Sequence, residues 1–215
     1  WVYRGRMALL PVDLDSTPHD IASLLAVDAA VRAAVGLDHP EPTGTALRWV
    51  GDDGMWMALL RPGDGRALLA GWHHEFSLTE GSGRAGEAGT DLVGEAPGWW
   101  RRGVEYARSQ GAYLGFLYGW DQDTWWRVDQ PTDDGFDPEL FPVTPLALRD
   151  ILDALADDTL LDAPDPGAVD ELLAAGAGLT AEHLAAVLHA PDGWPEVDLD
   201  AGVRAAREFG ATVPA

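Results

Sequence analysis

The sequence predicts an α+β fold: an antiparallel sheet, built from a meander plus a hairpin and flanked by helices, with a helical C-terminal part. Three observations lead there. Helical periodicity opens the chain, two stretches of short apolar runs are broken by Gly and Asp clusters, and from about residue 144 helical spacing returns behind capping residues. The order is helix, strands, helix, strands, then helices. It lacks the regular alternation of a parallel βαβ architecture. The expected organisation is an α+β domain over residues 1–143 and a helical subdomain over 144–215 packed on it.

The first helix is expected over residues 16–36, where Ile21, Leu24, Leu25, Ala29, Val31 and Val35 recur at helical spacing behind Ser16 or Thr17 as cap and Pro18 in the first turn. Between Thr45 and Trp72 the period changes. The runs 46–50, 55–60 and 66–72 are separated by Gly51-Asp52-Asp53-Gly54 and Gly63-Asp64-Gly65, which predicts a meander. Residues 81–89 read as a loop. Pro97 opens a helix through Trp99, Trp100, Val104, Tyr106 and Ala107 that stops at Gly111. The run 112–120, the turn Asp121-Gln122-Asp123 and the run 124–129 form a hairpin of the same sheet. Thr144-Pro145, Asp165-Pro166 and Thr180 cap three further helices, and a last one runs from about Asp200 to Phe209 before Gly210.

Thirty-six acids against fourteen basic residues, all arginine, give a formal charge of -22. A field of that sign repels nucleic acid and anionic membrane surfaces and attracts cationic proteins. Arginine without lysine is the usage of a high-GC genome. The charge is uneven: residues 121–171 carry fifteen acids against Arg127 and Arg149. With 47% hydrophobic residues, a core of ordinary size is expected rather than a disordered acidic tail. The absence of cysteine removes disulfides, thiolate metal sites and cysteine nucleophiles. No apolar stretch is long enough to span a bilayer and no signal-like segment opens the chain, so a cytoplasmic protein is expected. From the start at Trp1 rather than Met, a fragment or a trimmed chain is expected.

No motif for catalysis is specific. His73-His74-Glu75 is the densest group suited to acid–base work, with His74 and Glu75 the catalytic candidates beside the 81–89 loop. Adjacent residues of an extended chain point to opposite faces, so the two imidazoles are not expected to converge on a metal. Gly81-Ser82-Gly83-Arg84-Ala85-Gly86 matches the dinucleotide fingerprint in letters only, since no periodic helix follows and Glu80 and Glu87 would repel phosphate. The acids around Gly135 miss the EF-hand spacing, because its first position falls on Gln130. The five serines, Ser16, Ser23, Ser77, Ser82 and Ser109, form no nucleophile elbow. His183 and His189 share no helical face. No cofactor or metal is expected.

Ten tryptophans are the second compositional outlier. In Trp99-Trp100 and Trp125-Trp126 one ring of each pair is expected inside and the other outside. Trp120, Trp125 and Trp126 fall within the acidic stretch, where an indole beside carboxylates suits an interface anchor or a sugar-stacking platform. The expected partner site is Asp121, Asp123, Trp125, Trp126, Asp133, Asp134 and Asp137.

The segments 67–77 (ALLAGWHHEFS), 90–100 (TDLVGEAPGWW) and 115–121 (GFLYGWD) with Trp125-Trp126-Arg127 resemble an uncharacterised group of actinobacterial proteins across residues 45–136. A meander with helices before and after it is similar, at the level of architecture, to the SUKH superfamily, although this chain has no Leu-Pro-x-Asp-Tyr segment after its first helix. That resemblance implies an immunity protein that neutralises a toxin. The expected function is therefore a non-enzymatic, acidic protein-binding module, an immunity-type inhibitor of a basic toxin or other cationic protein. A hydrolase acting through His74 and Glu75, and carbohydrate binding by exposed tryptophans, are the alternatives.

Overall fold

A computed structural model of the chain describes residues 8–39, 42–44, 46–51, 54–78, 92–94, 96–130, 133–159, 164–189 and 197–211. Along the chain these form β1 (Leu9–Pro11), α1 (Pro18–Ala34), β2 (Ala46–Val50), β3 (Trp56–Gly63), β4 (Arg66–Trp72), α2 (Arg101–Ser109), β5 (Phe116–Asp121), β6 (Thr124–Val128), α3 (Pro145–Thr159), α4 (Pro166–Ala175), α5 (Ala181–Val187) and α6 (Leu199–Ala211). The architecture is α+β. The strands make one sheet in the order β1-β6-β5-β4-β3-β2.

The chain divides into two units, Trp1–Asp15 with Val50–Asp137 and Ser16–Trp49 with Pro138–Ala215, so the division falls within β2. This differs from the expected boundary at residue 143. The helix α1 belongs with the C-terminal helices because almost its whole circumference, from Ile21 to Ala34, is buried and it packs on α6. A chain that leaves one unit and returns to it has no composition shift to betray the fact.

In the first unit β3–β4 and β5–β6 are antiparallel hairpins closed by two-residue turns, and β4 pairs antiparallel with β5 across the long connection that carries α2. Their central strands bury successive residues, 56–60, 67–71 and 116–119, as strands covered on both faces do. That is why Trp-Met-Ala-Leu-Leu and Ala-Leu-Leu-Ala read as unbroken apolar runs. The strand β1 was not foreseen. It pairs with β6 in the register Leu9↔Val128 and Pro11↔Trp126, and Pro11 is tolerated because an edge position leaves its missing N–H unneeded.

In the second unit the helix ends follow their sequence signals. Thr17 and Asp20 form a capping box, with Asp20 N donating to Thr17 Oγ1 (3.2 Å) and Thr17 N to Asp20 Oδ2 (2.9 Å). At the other end Gly36, at φ 75°, lets Leu37 N donate back to Arg32 O (2.9 Å). Asp165 and Thr180 cap α4 and α5, and His183 completes the second box by accepting from Thr180 N (3.1 Å). Leu24, Val27 and Val31 of α1 meet Leu148, Leu152, Leu172, Leu184 and Val203 in one core. Buried within α1, Arg32 Nε pairs with Asp28 Oδ1 at 3.1 Å. No helix among the described residues is long and apolar enough to cross a membrane.

Candidate functional site

The hairpin β5–β6 closes through Gln122 and Asp123, flanked by the pair Asp121↔Thr124. Both turn residues have positive φ, 52° and 64°. Such a turn ordinarily takes Asn-Gly, and the left-handed region costs a residue with a Cβ about 1–2 kcal/mol. The turn therefore keeps two polar side chains at some cost in stability. Gln122→Gly is expected to stabilise the first unit by about 0.5–1 kcal/mol, the relief being partly offset by the freer unfolded chain, measured as a higher urea midpoint.

Pleating places Gly119 and Asp121 of β5 on one face, and the register Gly119↔Trp126 brings Trp126 to the same face of β6. Gly119 has no side chain for a reason of space. A Cβ there would run into the indole of Trp100, which lies against the strand. Trp100 is held there by a short 3₁₀ turn, Gly98–Trp100, that leads into α2. It is almost wholly buried and forms a floor, while Trp99 stands edge-on to it, 5.9 Å between centroids, and is half-buried.

Together Leu9, Trp99, Trp100, Asp121, Gln122 and Trp126 line most of a cleft of about 230 Å³. Trp126 Nε1 donates to Asp121 O at 3.4 Å, which ties one indole wall to the strand carrying the carboxylate. A cation already lies at this cleft. The Arg66 guanidinium carbon is 5.6 Å from the Trp99 ring centroid, and Arg66 Nε is 3.9 Å from Asp121 Oδ1, both side chains being about 40% exposed. The site thus combines an indole face and a carboxylate around one guanidinium, an arrangement that binds organic cations.

Of the partner residues expected from sequence, Asp121 and Trp126 meet at this cleft and Asp123 is exposed on the adjoining turn. Trp125 does not belong to a partner surface: it is 1% exposed and packs edge-on to Trp120 at 5.3 Å. Strand alternation assigns opposite sides to Trp125 and Trp126, but only the register says which is inside. Trp99 was not among the expected site residues, although its pairing with Trp100 behind Pro97-Gly98 was the available signal. Asp133 and Asp137 are exposed and line no part of the cleft. The acidic stretch 121–171 is split between the two units at Asp137, so its fifteen acids do not form one structural element.

Asp134 is also corrected. Only 6% exposed, it is the centre of an internal hydrogen-bond network. Its Oδ2 accepts from Tyr118 OH (2.8 Å) and Gln130 Nε2 (3.3 Å), its Oδ1 from Phe136 N (3.1 Å), and Arg127 Nη1 lies 3.7 Å away. Its carbonyl accepts from Ser77 Oγ (2.8 Å), which in turn accepts from His73 N (2.9 Å). Burial lifts the Asp134 carboxyl above the ordinary carboxylate range, against the opposing pull of Phe136 N, Tyr118 and Arg127. Burial foremost, then the Asp134 charge, pushes the Tyr118 phenol far up, so its hydroxyl remains a donor.

The His73-His74-Glu75 group sits in a turn rather than on extended chain, since Ser77 N donates back to His73 O (3.0 Å). The expectation of opposed imidazoles therefore fails, and the rings stack with centroids 5.0 Å apart. His73 is buried, and its Nδ1 accepts from Glu75 N (3.1 Å) and Phe76 N (3.4 Å), which fixes the neutral tautomer with the proton on Nε2. His74 and Glu75 are exposed, 3.7 Å apart. The loop 81–89, the other part of the hydrolase reading and the seat of the fingerprint-like glycines, lies outside the described residues.

No protein-family model, curated protein or solved structure matches this chain.

Proposed function

We propose that this chain is a non-catalytic binding protein for a basic protein partner in the cytoplasm, engaged at the cleft between Trp99, Asp121 and Trp126. A basic toxin held by an immunity-type inhibitor is the form of partnership that the SUKH resemblance implies. The observation that carries the reading is the Arg66 guanidinium lying over the indole of Trp99 beside Asp121, a surrounding that suits a cationic side chain. The charge of -22 adds steering, drawing a cationic surface in from a distance set by the ionic strength. Partly exposed indoles supply the apolar contact area that charge alone lacks.

An arginine-rich hexapeptide tests this by calorimetry. Binding is expected to weaken with salt, and Trp99→Ala and Asp121→Asn are each expected to weaken it about tenfold, the effect of removing a central contact of an interface. Asp137→Asn, an exposed acid that does not line the cleft, is expected to leave it unchanged. Equal losses for Asp121→Asn and Asp137→Asn, with none for Trp99→Ala, would reduce the attraction to bulk charge and defeat the proposal. Sugar stacking has less support, because Trp100 stands at 62° to the Trp99 ring rather than parallel, so the two indoles form no coplanar platform.

A further inference from the structure

We infer that the cleft is a seat for one guanidinium group and works by exchange: a partner's arginine takes the place that Arg66 holds over Trp99 and beside Asp121. This rests on the cationic-partner reading and narrows it to a ligand class and a resident competitor.

Three observations lead to it. The contacts of Arg66 are the kind that yield easily, since its side chain is 40% exposed, its separation from Asp121 is 3.9 Å rather than a hydrogen-bond distance, and a cation–π contact made by so exposed a cation is weakly held. Beside it the cleft offers about 230 Å³ between Trp99, Trp126 and the Trp100 floor, room for a second side chain to enter without rearranging the sheet. Finally, the chemistry around that space selects the head group. Asp121 and Gln122 carry acceptor oxygens and line the cleft together with the indoles of Trp99, Trp100 and Trp126. A planar, weakly hydrated guanidinium can stack on an indole and donate in its own plane at once. An ammonium, a strongly hydrated point charge, gains less from the same walls.

If Arg66 is displaced by the incoming group, its presence costs affinity. Arg66→Met keeps the apolar stem and removes the competing head, so the vacated position should bind more tightly.

The indole N–H resonances of the protein, with Trp99 and Trp126 assigned from their Phe variants, follow binding directly. Nα-acetyl-arginine methylamide is the probe, with the lysine analogue and methyl α-glucoside for comparison. Expected results are shifts confined to the Trp99, Trp100 and Trp126 signals, stronger binding of the arginine than of the lysine probe, and a threefold to tenfold tightening in Arg66→Met, the range set by one exposed cation–π contact and one exposed ion pair. Arg204→Met, an exposed residue of α6 with the same change of charge, should give no tightening. Should Arg66→Met fail to fold, shown by collapsed indole dispersion, Arg66→Gln carries the same test. Unchanged or weaker binding in the Arg66 variant, with wild-type shifts still lost in Asp121→Asn, overturns the exchange and leaves the cationic reading standing. An absence of shifts with either cationic probe in both proteins overturns both. Shifts with the glucoside alone assign the cleft to sugars and overturn both as well.

Discussion

Leucine at position 202 is expected to unfold the helical unit, and even Gly202→Ala to cost about 2 kcal/mol, the scale of an overpacked core. The sign is the informative part. Gly202 lies within α6, and in an exposed helix exchanging glycine for alanine gains about 1 kcal/mol from backbone entropy. Here a Cβ would lie 2.6 Å from Leu184 Cδ1, 2.7 Å from Ala30 O and 3.1 Å from Ala34 Cβ. The leucine methyl is the end of a flexible side chain and can move. The carbonyl of Ala30 is backbone in the middle of α1 and cannot move without shifting that helix. Trimming the neighbour, as in Gly202→Ala with Leu184→Ala, is therefore expected not to restore stability, because it relieves the lesser conflict and opens a cavity besides. Urea midpoints of the three variants check this. A Gly202→Ala protein more stable than the parent would mean that α1 and α6 do not approach as closely as described.

The same contact shows what could be read from the sequence and what could not. The ends of α1, α4 and α5 were legible because a cap is a local event: Thr17, Asp165 and Thr180 each bond an N–H three residues on, and Pro18 and Pro166 need no donor in a first turn. The strands β3 and β4 were legible as apolar runs around Gly63-Asp64-Gly65, which turn the chain between them. That α1 joins α6, with small residues where the two cross, depends on residues some 170 positions apart and leaves no local mark. The strand β1 is three residues long, too short for alternation to register.

At the candidate site the limit was the same. Charge and tryptophan content pointed to residues 121–126, and Asp121 with Trp126 does line the cleft. Trp99 comes from another part of the first unit and reaches the cleft only because Gly119 lets Trp100 lie against β5. Counting acids could not separate Asp121, half in solvent, from Asp134, whose burial follows from long-range hydrogen bonds to Tyr118 and Ser77. A carboxylate's environment includes partners such as Tyr118, sixteen positions away, that sequence proximity does not name.

Asp134→Ala is expected to destabilise the protein by about 3 kcal/mol. The loss strips a partner from the buried Tyr118 hydroxyl, from Gln130 Nε2 and from Phe136 N, and an orphaned buried donor costs about 1–3 kcal/mol on its own. Asp134→Asn should cost much less, because the amide oxygen still accepts from Tyr118 or Phe136 and the group carries no charge at any pH. The direction with pH follows from the raised carboxyl. Between the ordinary carboxylate range and that raised value the folded protein holds a proton that the unfolded chain has released. Across this window rising pH therefore lowers stability through this group, and above it the full penalty of ionisation persists. Arg127, facing the carboxylate from β6, reduces that penalty, and exposed Asp133 beside it adds to it. Most acids of the chain act in the ordinary way, so the signature is a difference: plotted against pH, the stability of Asp134→Asn relative to the parent should rise through the window and then level off. A difference curve that falls instead would show that Arg127 outweighs burial and that Asp134 is ionised at a net gain to the fold.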